Sequence, residues 1–221
     1  MESTSLFAPL KLLQELMSTD GVAYLALYLK DSDSRSGLLK KIGREFESKN
    51  LPYEIIINPK MSFGTGHHHT TALMIANQLI VNHVAKKVLD IGCGTGILAI
   101  MAAKLGASSI DAIDTEVWAV ENALENAQLN GCENIDIQQG TVKSTNLLRE
   151  YQLILANINR NVLLEEIPYY TKLLADKGFL IVSGFYEQDI AEITNVANTV
   201  LLENKVQRIE NQWVSIIFEK K

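Results

Sequence analysis

The stretch "VLDIGCGTGILAI", Val88 to Ile100, decides which fold this sequence predicts. It opens as an apolar, β-branched run, which is typical of a buried parallel strand, and Asp90 closes that strand. Gly92, Gly94 and Gly96 then alternate through a turn that leads into a predicted helix. Because glycine adopts positive φ angles and lets a ligand come close to the main chain, this turn predicts a binding loop. A purely structural turn is the alternative interpretation.

The spacing of these glycines narrows the class of ligand. The dinucleotide fingerprint G-x-G-x-x-G requires a glycine at position 97, where this chain has Ile97, and the phosphate loop ending in G-K-[ST] is also missing. Asp114 ends the next predicted strand, where an acid can take both hydroxyls of a ribose. A solvated strand-end carboxylate is the alternative. Loop and acid together predict an adenosine-type ligand without a pyrophosphate, and S-adenosylmethionine fits that description.

Working outward, strands alternate with helices from residue 54 onward and predict an α/β fold with a mostly parallel sheet. A helix is expected over residues 68–84, another after Asn157 that breaks or restarts at Pro168, and a last one over about 187–202. Seven strands are predicted, with helices on both faces and the last two strands, "KVQRIENQ" and "WVSIIFEK", forming an antiparallel hairpin. Ligands bind such sheets at the carboxyl ends of the strands where the strand order reverses. The loops after "VLD", "AID" and "LILAN" are therefore expected to form one neighbourhood.

The first fifty residues carry no recognisable chemistry. "PLKLLQELM" has helical apolar spacing, "GVAYLALYL" fits a strand or a buried helix, and "LLKKIGREFESK" fits a short amphipathic helix. The longest of these apolar runs is about half the length needed to span a bilayer, and no signal peptide is predicted. Residues 1–52 are accordingly expected to form a short accessory segment.

The net charge and the cysteine content indicate which classes of binding partner and which redox setting to expect. The net charge is −6 with a sequence pI of about 5.3, which argues against general affinity for nucleic-acid phosphates and leaves room for a basic protein partner. Cys93 and Cys132 cannot form a disulfide framework, so a reduced, cytosolic setting is expected. Neither nucleic acid nor a membrane is expected as a partner, and these features leave the oligomeric state open.

Three motifs together resemble a known family. "VLDIGCGTG" followed by "AIDT" resembles the class I S-adenosylmethionine-dependent methyltransferases, and "NPKMSFGTGHHHTT" and "LILANINRNVL" are more specifically similar to the PrmA family of bacterial ribosomal protein methyltransferases. The resemblance covers residues 53–221 and implies a Rossmann-like methyltransferase domain there, with S-adenosylmethionine as cofactor. It further implies N-methylation of lysine or α-amino groups of protein eleven of the large ribosomal subunit. The family carries an N-terminal recognition domain, and residues 1–52 are expected to be a shorter accessory segment and not that full domain.

The resemblance also implies a cofactor-covering loop in "FGTGHHHTT". It places Phe63 at the start of that loop, the family's histidine on His68, and its cofactor-contacting threonine on Thr71. Thr71 could instead cap the first turn of the helix. No metal site is predicted from the run His67–His69, because adjacent helical residues point about 100° apart and cannot converge on one ion.

Asn157 follows the predicted buried strand "LILAN". Methylation of an amine requires a desolvated neutral amine with an aligned lone pair, and an amide oxygen can accept the amine hydrogens without a charged base. The resemblance implies that Asn157 meets both cofactor and substrate, although the sequence reads Asn157-Ile158-Asn159 where related amino-methyltransferases often have N-P-P-Y. A polar strand end is the alternative, and no general base is assigned.

Three further residues near these motifs are open to two interpretations each. Trp118 is expected in the core, with adenine stacking as the alternative; Cys93 is expected to be a small filler; Tyr186 is a candidate substrate contact. Other functions also remain open: a class I methyltransferase acting on another protein or on a small molecule, or a non-catalytic cofactor-binding module. Ile97 disfavours an NAD-dependent dehydrogenase.

Overall fold

The structure is a computed structural model that describes the backbone of residues 25–29 together with residues 53–58, 69–145, 147 and 150–221. The predictions on "PLKLLQELM", "LLKKIGREFESK", Phe63, His67 and His68 lie outside the described residues. Strand β1 is Leu25–Leu29 and strand β2 is Tyr53–Ile57. They pair in parallel as a separate two-stranded sheet, which settles "GVAYLALYL" as containing a strand.

The main sheet has seven strands in the order β5-β4-β3-β6-β7-β9-β8. All its pairings are parallel except those of β9, which runs antiparallel to both β7 and β8, so the predicted C-terminal hairpin is confirmed. Strand β2 does not join this sheet. The strands are β3 Lys87–Ile91, β4 Ser109–Asp114, β5 Ile135–Gln139, β6 Tyr151–Asn157, β7 Leu174–Tyr186, β8 Leu202–Glu210 and β9 Trp213–Lys220.

Helices cover both faces of the sheet, as predicted. Leu153 and Leu155 of β6 face one layer of apolar side chains, whereas Ile154 between them faces the other, because successive strand residues point to opposite sides. The first layer includes side chains from α1, α2 and α3, and the second includes side chains from α4 and α5. The helices are α1 His69–Gln78, α2 Ile97–Lys104, α3 Val117–Leu129, α4 Arg160–Leu173 and α5 Ile190–Thr199, the last preceded by a 3₁₀ turn at Glu187–Asp189.

The ends of two helices differ from the sequence prediction. Helix α1 ends at Gln78, and the chain then turns so that the buried ring of His83 lies 3.2 Å from Gln78 Oε1 and 2.8 Å from Val81 O. Helix α5 ends at Thr199 because the buried Leu202 already belongs to β8.

Helix α4 continues through Pro168 without a break, against the prediction. The proline removes one backbone donor, but Ile167 and Tyr170 on either side of it are fully buried in the core. Tertiary packing of this face therefore outweighs the lost hydrogen bond. Within the described part of the chain, no helix is long and apolar enough to cross a membrane.

Candidate functional site

Three residues singled out from the sequence stand in one row across neighbouring strands. Ile91, the last residue of β3, pairs with Ile113 of β4 and with Ala156 of β6, the residues directly before Asp114 and Asn157. Gly92, Asp114 and Asn157 are thus the next residues on three adjacent strands, which lie about 4.8 Å apart in a sheet. The strand order reverses between β3 and β6, so this row is the place where such sheets bind ligands.

The glycine loop starts with a tight turn against β4. The N–H groups of Gly92 and Cys93 both donate to Ile113 O, at 2.8 and 3.0 Å, and Gly96 N donates to Cys93 O at 2.8 Å. Gly92 has a φ of +69°, and a Cβ at this position would lie 2.5 Å from Cγ2 of Ile158. The backbone conformation therefore favours glycine at position 92, and a larger residue there would also displace the Ile158 side chain.

Asp114 is held at the open side of this loop. Its Oδ2 accepts a hydrogen bond from Gly94 N at 2.9 Å, and its Oδ1 accepts one from Glu116 N at 3.0 Å. A carboxylate has about four acceptor positions, so each oxygen keeps one for a further donor. The fixed carboxylate therefore suits a pair of hydroxyl groups such as those of a ribose.

Asp90 is a site residue that the sequence reasoning treated only as the end of a strand. It is fully buried; its Oδ2 accepts from Ala99 N in the first turns of α2 at 3.1 Å, and its Oδ1 has no hydrogen-bond partner among the described residues. Burial raises the pKa of Asp90 to about 7; the Ala99 hydrogen bond opposes this shift and the nearby Asp114 adds to it. The sequence signal for a role of Asp90 in the site was the position of this acid just before the glycine loop. A donor or cation of a bound ligand would give Oδ1 its missing partner.

Cys93 and Trp118 occupy very different environments. Cys93 is buried, and burial followed by the charges of Asp90 and Asp114 raises the pKa of its thiol, consistent with the predicted filler role. The expectation that Trp118 lies in the core is wrong: its side chain is 41% exposed, and its Nε1 donates to Glu116 Oε2 at 3.2 Å. In the first turn of α3, Val117 and Trp118 are exposed, whereas Ala119 is buried, so Trp118 lies on the solvent side of the helix. Adenine stacking by Trp118 stays a prediction.

The backbone after Asn157 is held from two directions. Asn157 pairs with Ser183 of β7, and Ile158 N donates to Ser183 O at 3.2 Å. The Asn159 side chain then caps helix α4 by accepting from Val162 N at 3.2 Å. This segment is thus fixed beside the glycine loop.

Gly184, which the sequence reasoning missed, allows that close packing. It has a φ of +97° and sits where the pairing of β7 with β9 shifts register. A Cβ at Gly184 would overlap the carbonyl oxygen of Ile158 and lie 2.7 Å from its carbonyl carbon. An isolated glycine inside a predicted strand was the signal for such a close approach.

Thr71 lies at the same edge of the sheet. It is buried in the first turn of α1, three residues before Met74, whose Sδ lies 3.5 Å from Ser215 Oγ. Ser215 pairs with Ser183, which in turn pairs with Asn157. Thr71 is therefore about 4.5 Å along α1 from the residue that contacts Ser215.

Aromatic and charged side chains lie at the carboxyl end of β7 and in the segments that follow β6 and β7. The Tyr186 ring is 43% exposed and lies 4.1 Å from the Trp213 ring, measured between centroids. Arg160 Nε lies 3.1 Å from Asp189 Oδ1. Substrate contact by Tyr186 stays a prediction.

His69 is the one described member of the histidine run. It begins α1, and its Nδ1 lies 3.2 Å from Glu210 Oε1. Among the residues that the structure describes, no group of three or more His, Cys, Asp or Glu side chains could hold a metal ion.

Comparison with known proteins gives one consistent family. The family model described as "Ribosomal protein L11 methyltransferase (PrmA)" matches residues 42–221. The ribosomal protein L11 methyltransferase of Porphyromonas gingivalis is 45% identical over 169 residues, covering 76% of this chain and 58% of that protein. The protein of the same name from Phocaeicola vulgatus is 41% identical over 172 residues, covering 78% of this chain and 61% of the relative.

A solved structure agrees with these sequence matches. The ribosomal protein L11 methylase of Lactobacillus delbrueckii subsp. bulgaricus superimposes with a TM-score of 0.72 at 28% identity, covering 89% of this chain and 95% of that chain. The chain spans only 58% and 61% of the length of the two curated relatives above.

Proposed function

The chain belongs to the ribosomal protein L11 methyltransferase (PrmA) family, and we propose that it is an S-adenosylmethionine-dependent N-methyltransferase. Its proposed substrates are lysine or α-amino groups of ribosomal protein L11. The observation that carries the proposal is the row of Gly92, Asp114 and Asn157 across three adjacent strands at the switch point of the sheet.

The residues of the row suit the proposed cofactor. Gly92, Gly94 and Gly96 offer backbone without side chains, and Asp114 has acceptor positions left for the ribose hydroxyls. The buried Oδ1 of Asp90 supports a positively charged or donating ligand group at the floor of the loop. When bound, S-adenosylmethionine supplies an activated methyl group on its sulfonium.

Asn157 is proposed to position the substrate amine. Its side-chain oxygen accepts amine hydrogens and turns the lone pair toward the cofactor, while the packed Ile158 backbone excludes water. No general base is needed. A lysine can lose its proton to water before it reacts, at about 1.4 kcal/mol for each pKa unit above the ambient pH.

Three more residues are proposed to contact the cofactor through the resemblance of the loop "FGTGHHHTT": Phe63, His68 and Thr71. Residues 53–221 are proposed as the catalytic unit and residues 1–52 as an accessory segment. The free thiols of Cys93 and Cys132 and a ribosomal substrate favour a reduced, cytosolic setting.

The test uses the full chain with tritiated S-adenosylmethionine and purified large ribosomal subunits, followed by separation of the ribosomal proteins. Label on protein L11, abolished in Asn157→Ala, is the expected result, and mass spectrometry then identifies the methylated amines. Label on another protein or on a small-molecule fraction would assign a different class I methyltransferase. Cofactor binding without any transfer would indicate a non-catalytic module.

A further inference from the structure

Three asparagines lie along one side of helix α3. Asn122 and Asn126 are four residues apart and fully buried, and Asn130 follows directly after the last residue of the helix. Helical residues four apart share a face, so their side chains point in one direction. That direction is toward strand β2 and the glycine loop.

Asn130 and Asn122 take the place of a neighbouring strand for β2. Asn130 Oδ1 accepts from Ile56 N at 2.8 Å, and its Nδ2 donates to Ile56 O at 2.7 Å. About two turns earlier, Asn122 Nδ2 donates to Asn58 O at 2.9 Å. Strand β2 therefore pairs with β1 on one edge and with asparagine side chains on the other.

Asn126 differs from Asn130 because it also contacts the glycine loop. Its Oδ1 accepts from Asn58 N at 2.8 Å, and its Nδ2 donates to Thr95 O at 2.9 Å. One buried amide thus joins backbone groups of the loop and of the β2 segment. Without it, the Thr95 carbonyl and the Asn58 amide would each lose this hydrogen bond.

The Thr95 carbonyl is a sensitive point of the loop. Thr95 lies between Gly94, whose N–H donates to Asp114 Oδ2 at 2.9 Å, and Gly96, whose φ is +79°. Glycines on both sides leave the peptide groups free to rotate, so hydrogen bonds must set their orientation. Asp114 holds the loop at Gly94, the Gly96 N–H donates to Cys93 O at 2.8 Å, and Asn126 adds a hydrogen bond to the Thr95 carbonyl from the side of β2.

We propose that Asn126 is a positioning residue for S-adenosylmethionine: it does not touch the cofactor, but it orients the Thr95 peptide by tying it to the β2 segment. This inference rests on the proposed function. It makes cofactor affinity depend on how β2 docks against α3, although β2 lies outside the main sheet.

The experiment compares Asn126 variants with a matched control, Asn130→Ala, which also removes hydrogen bonds to β2 but none to the loop. Isothermal titration calorimetry of the full chain with S-adenosylmethionine measures Kd for each protein. Asn126→Ala is expected to raise Kd roughly tenfold, the size of one buried hydrogen bond. Asn126→Asp keeps an acceptor for Asn58 but loses the donor to Thr95, so a similar rise is expected. Asn130→Ala is expected to change Kd less than about twofold.

A second readout keeps the test informative if Asn126→Ala fails to fold, because Asn126→Asp has nearly the same shape. Amide hydrogen exchange of residues 94–96 without ligand should quicken in Asn126→Asp and stay unchanged in Asn130→Ala. Equal Kd and exchange in the two variants would overturn the inference and leave Asn126 as a structural tie. Absence of cofactor binding by the unmodified chain would instead refute the proposed function.

Discussion

Replacing Gly184 by alanine introduces one methyl group beside the backbone that carries Asn157. The new Cβ would lie 2.7 Å from the carbonyl carbon of Ile158 and 3.1 Å from its nitrogen, in addition to overlapping the carbonyl oxygen. Backbone atoms cannot rotate away as a flexible side chain does. The segment after Asn157 must therefore move, and the carbonyl carbon has to retreat by at least about 0.7 Å to reach the 3.4 Å of ordinary contact.

A shift of this size is large for catalysis and modest for cofactor binding. Misplacement by about 1 Å can cost a hundredfold in rate, so we expect Gly184→Ala to reduce kcat by roughly 30- to 100-fold. Because Asn157 is expected to meet the cofactor and Ile158 packs against Gly92, the Kd for S-adenosylmethionine should also rise, but by a smaller factor than the loss in kcat. The assay is transfer of labelled methyl groups to purified ribosomal protein L11, with calorimetry for Kd.

Gly131→Ala is the matched control. Gly131 also has a positive φ, +64°, but a Cβ there meets no atom within 4 Å. Both variants suffer the left-handed backbone penalty of about 1–2 kcal/mol, which lowers the melting temperature by roughly 2–4 °C per kcal/mol in a chain of this size. Only Gly184→Ala should lose activity while still folded. If the two folded variants kept equal kcat, the idea that Gly184 positions the Asn157 segment would be refuted.

Three further outcomes are expected. Asp114→Asn removes charge-assisted hydrogen bonds to ligand hydroxyls and should raise the cofactor Kd at least tenfold by calorimetry, whereas an unchanged Kd would exclude a ribose contact. The pKa of Asp90 is raised in the folded chain from 3.8 to about 7, so folding favours its protonated form and the stability contributed by this group falls as pH rises from about 4 to 7. The melting temperature of Asp90→Asn minus that of the unmodified chain should therefore be larger at pH 8 than at pH 5. An equal difference at both pH values would contradict the raised pKa of Asp90. Pro168→Ala restores a helical donor and should raise the melting temperature of the chain, followed by circular dichroism, by a few degrees, whereas an unchanged or lower melting temperature would contradict this cost of the proline.

The parts of the site that could be predicted depend on local signals. The alternation of glycines after a β-branched strand and the acid ending the next strand are both readable within a few residues, and the structure brings Gly92, Asp114 and Asn157 into one row. Their loops could be predicted to lie together because the carboxyl ends of parallel strands meet at a common edge of the sheet. The glycine turn needed no knowledge of its neighbours.

The features that could not be predicted depend on distant neighbours. The proline in α4 is tolerated because of buried packing on either side of it, and Trp118 is exposed because the core-facing side of the first turn of α3 is occupied by Ala119. Local propensity predicts neither outcome, since tertiary packing routinely overrides it. The raised pKa of Asp90 likewise follows from burial rather than from its neighbours in the chain.

The sequence by itself determined the alternation of strands and helices, the glycine loop and the carboxylate and amide that accompany it. These follow from backbone freedom, apolar periodicity and the chemistry of single side chains. Only the tertiary structure decided that β2 stays outside the main sheet, that Ile158 packs against Gly92 and Gly184, and that Asn126 joins Thr95 to Asn58. The physical reason is separation along the chain: Asn126 is 31 residues from one partner and 68 from the other. Contacts across such separations exist only once the chain has folded around a common core.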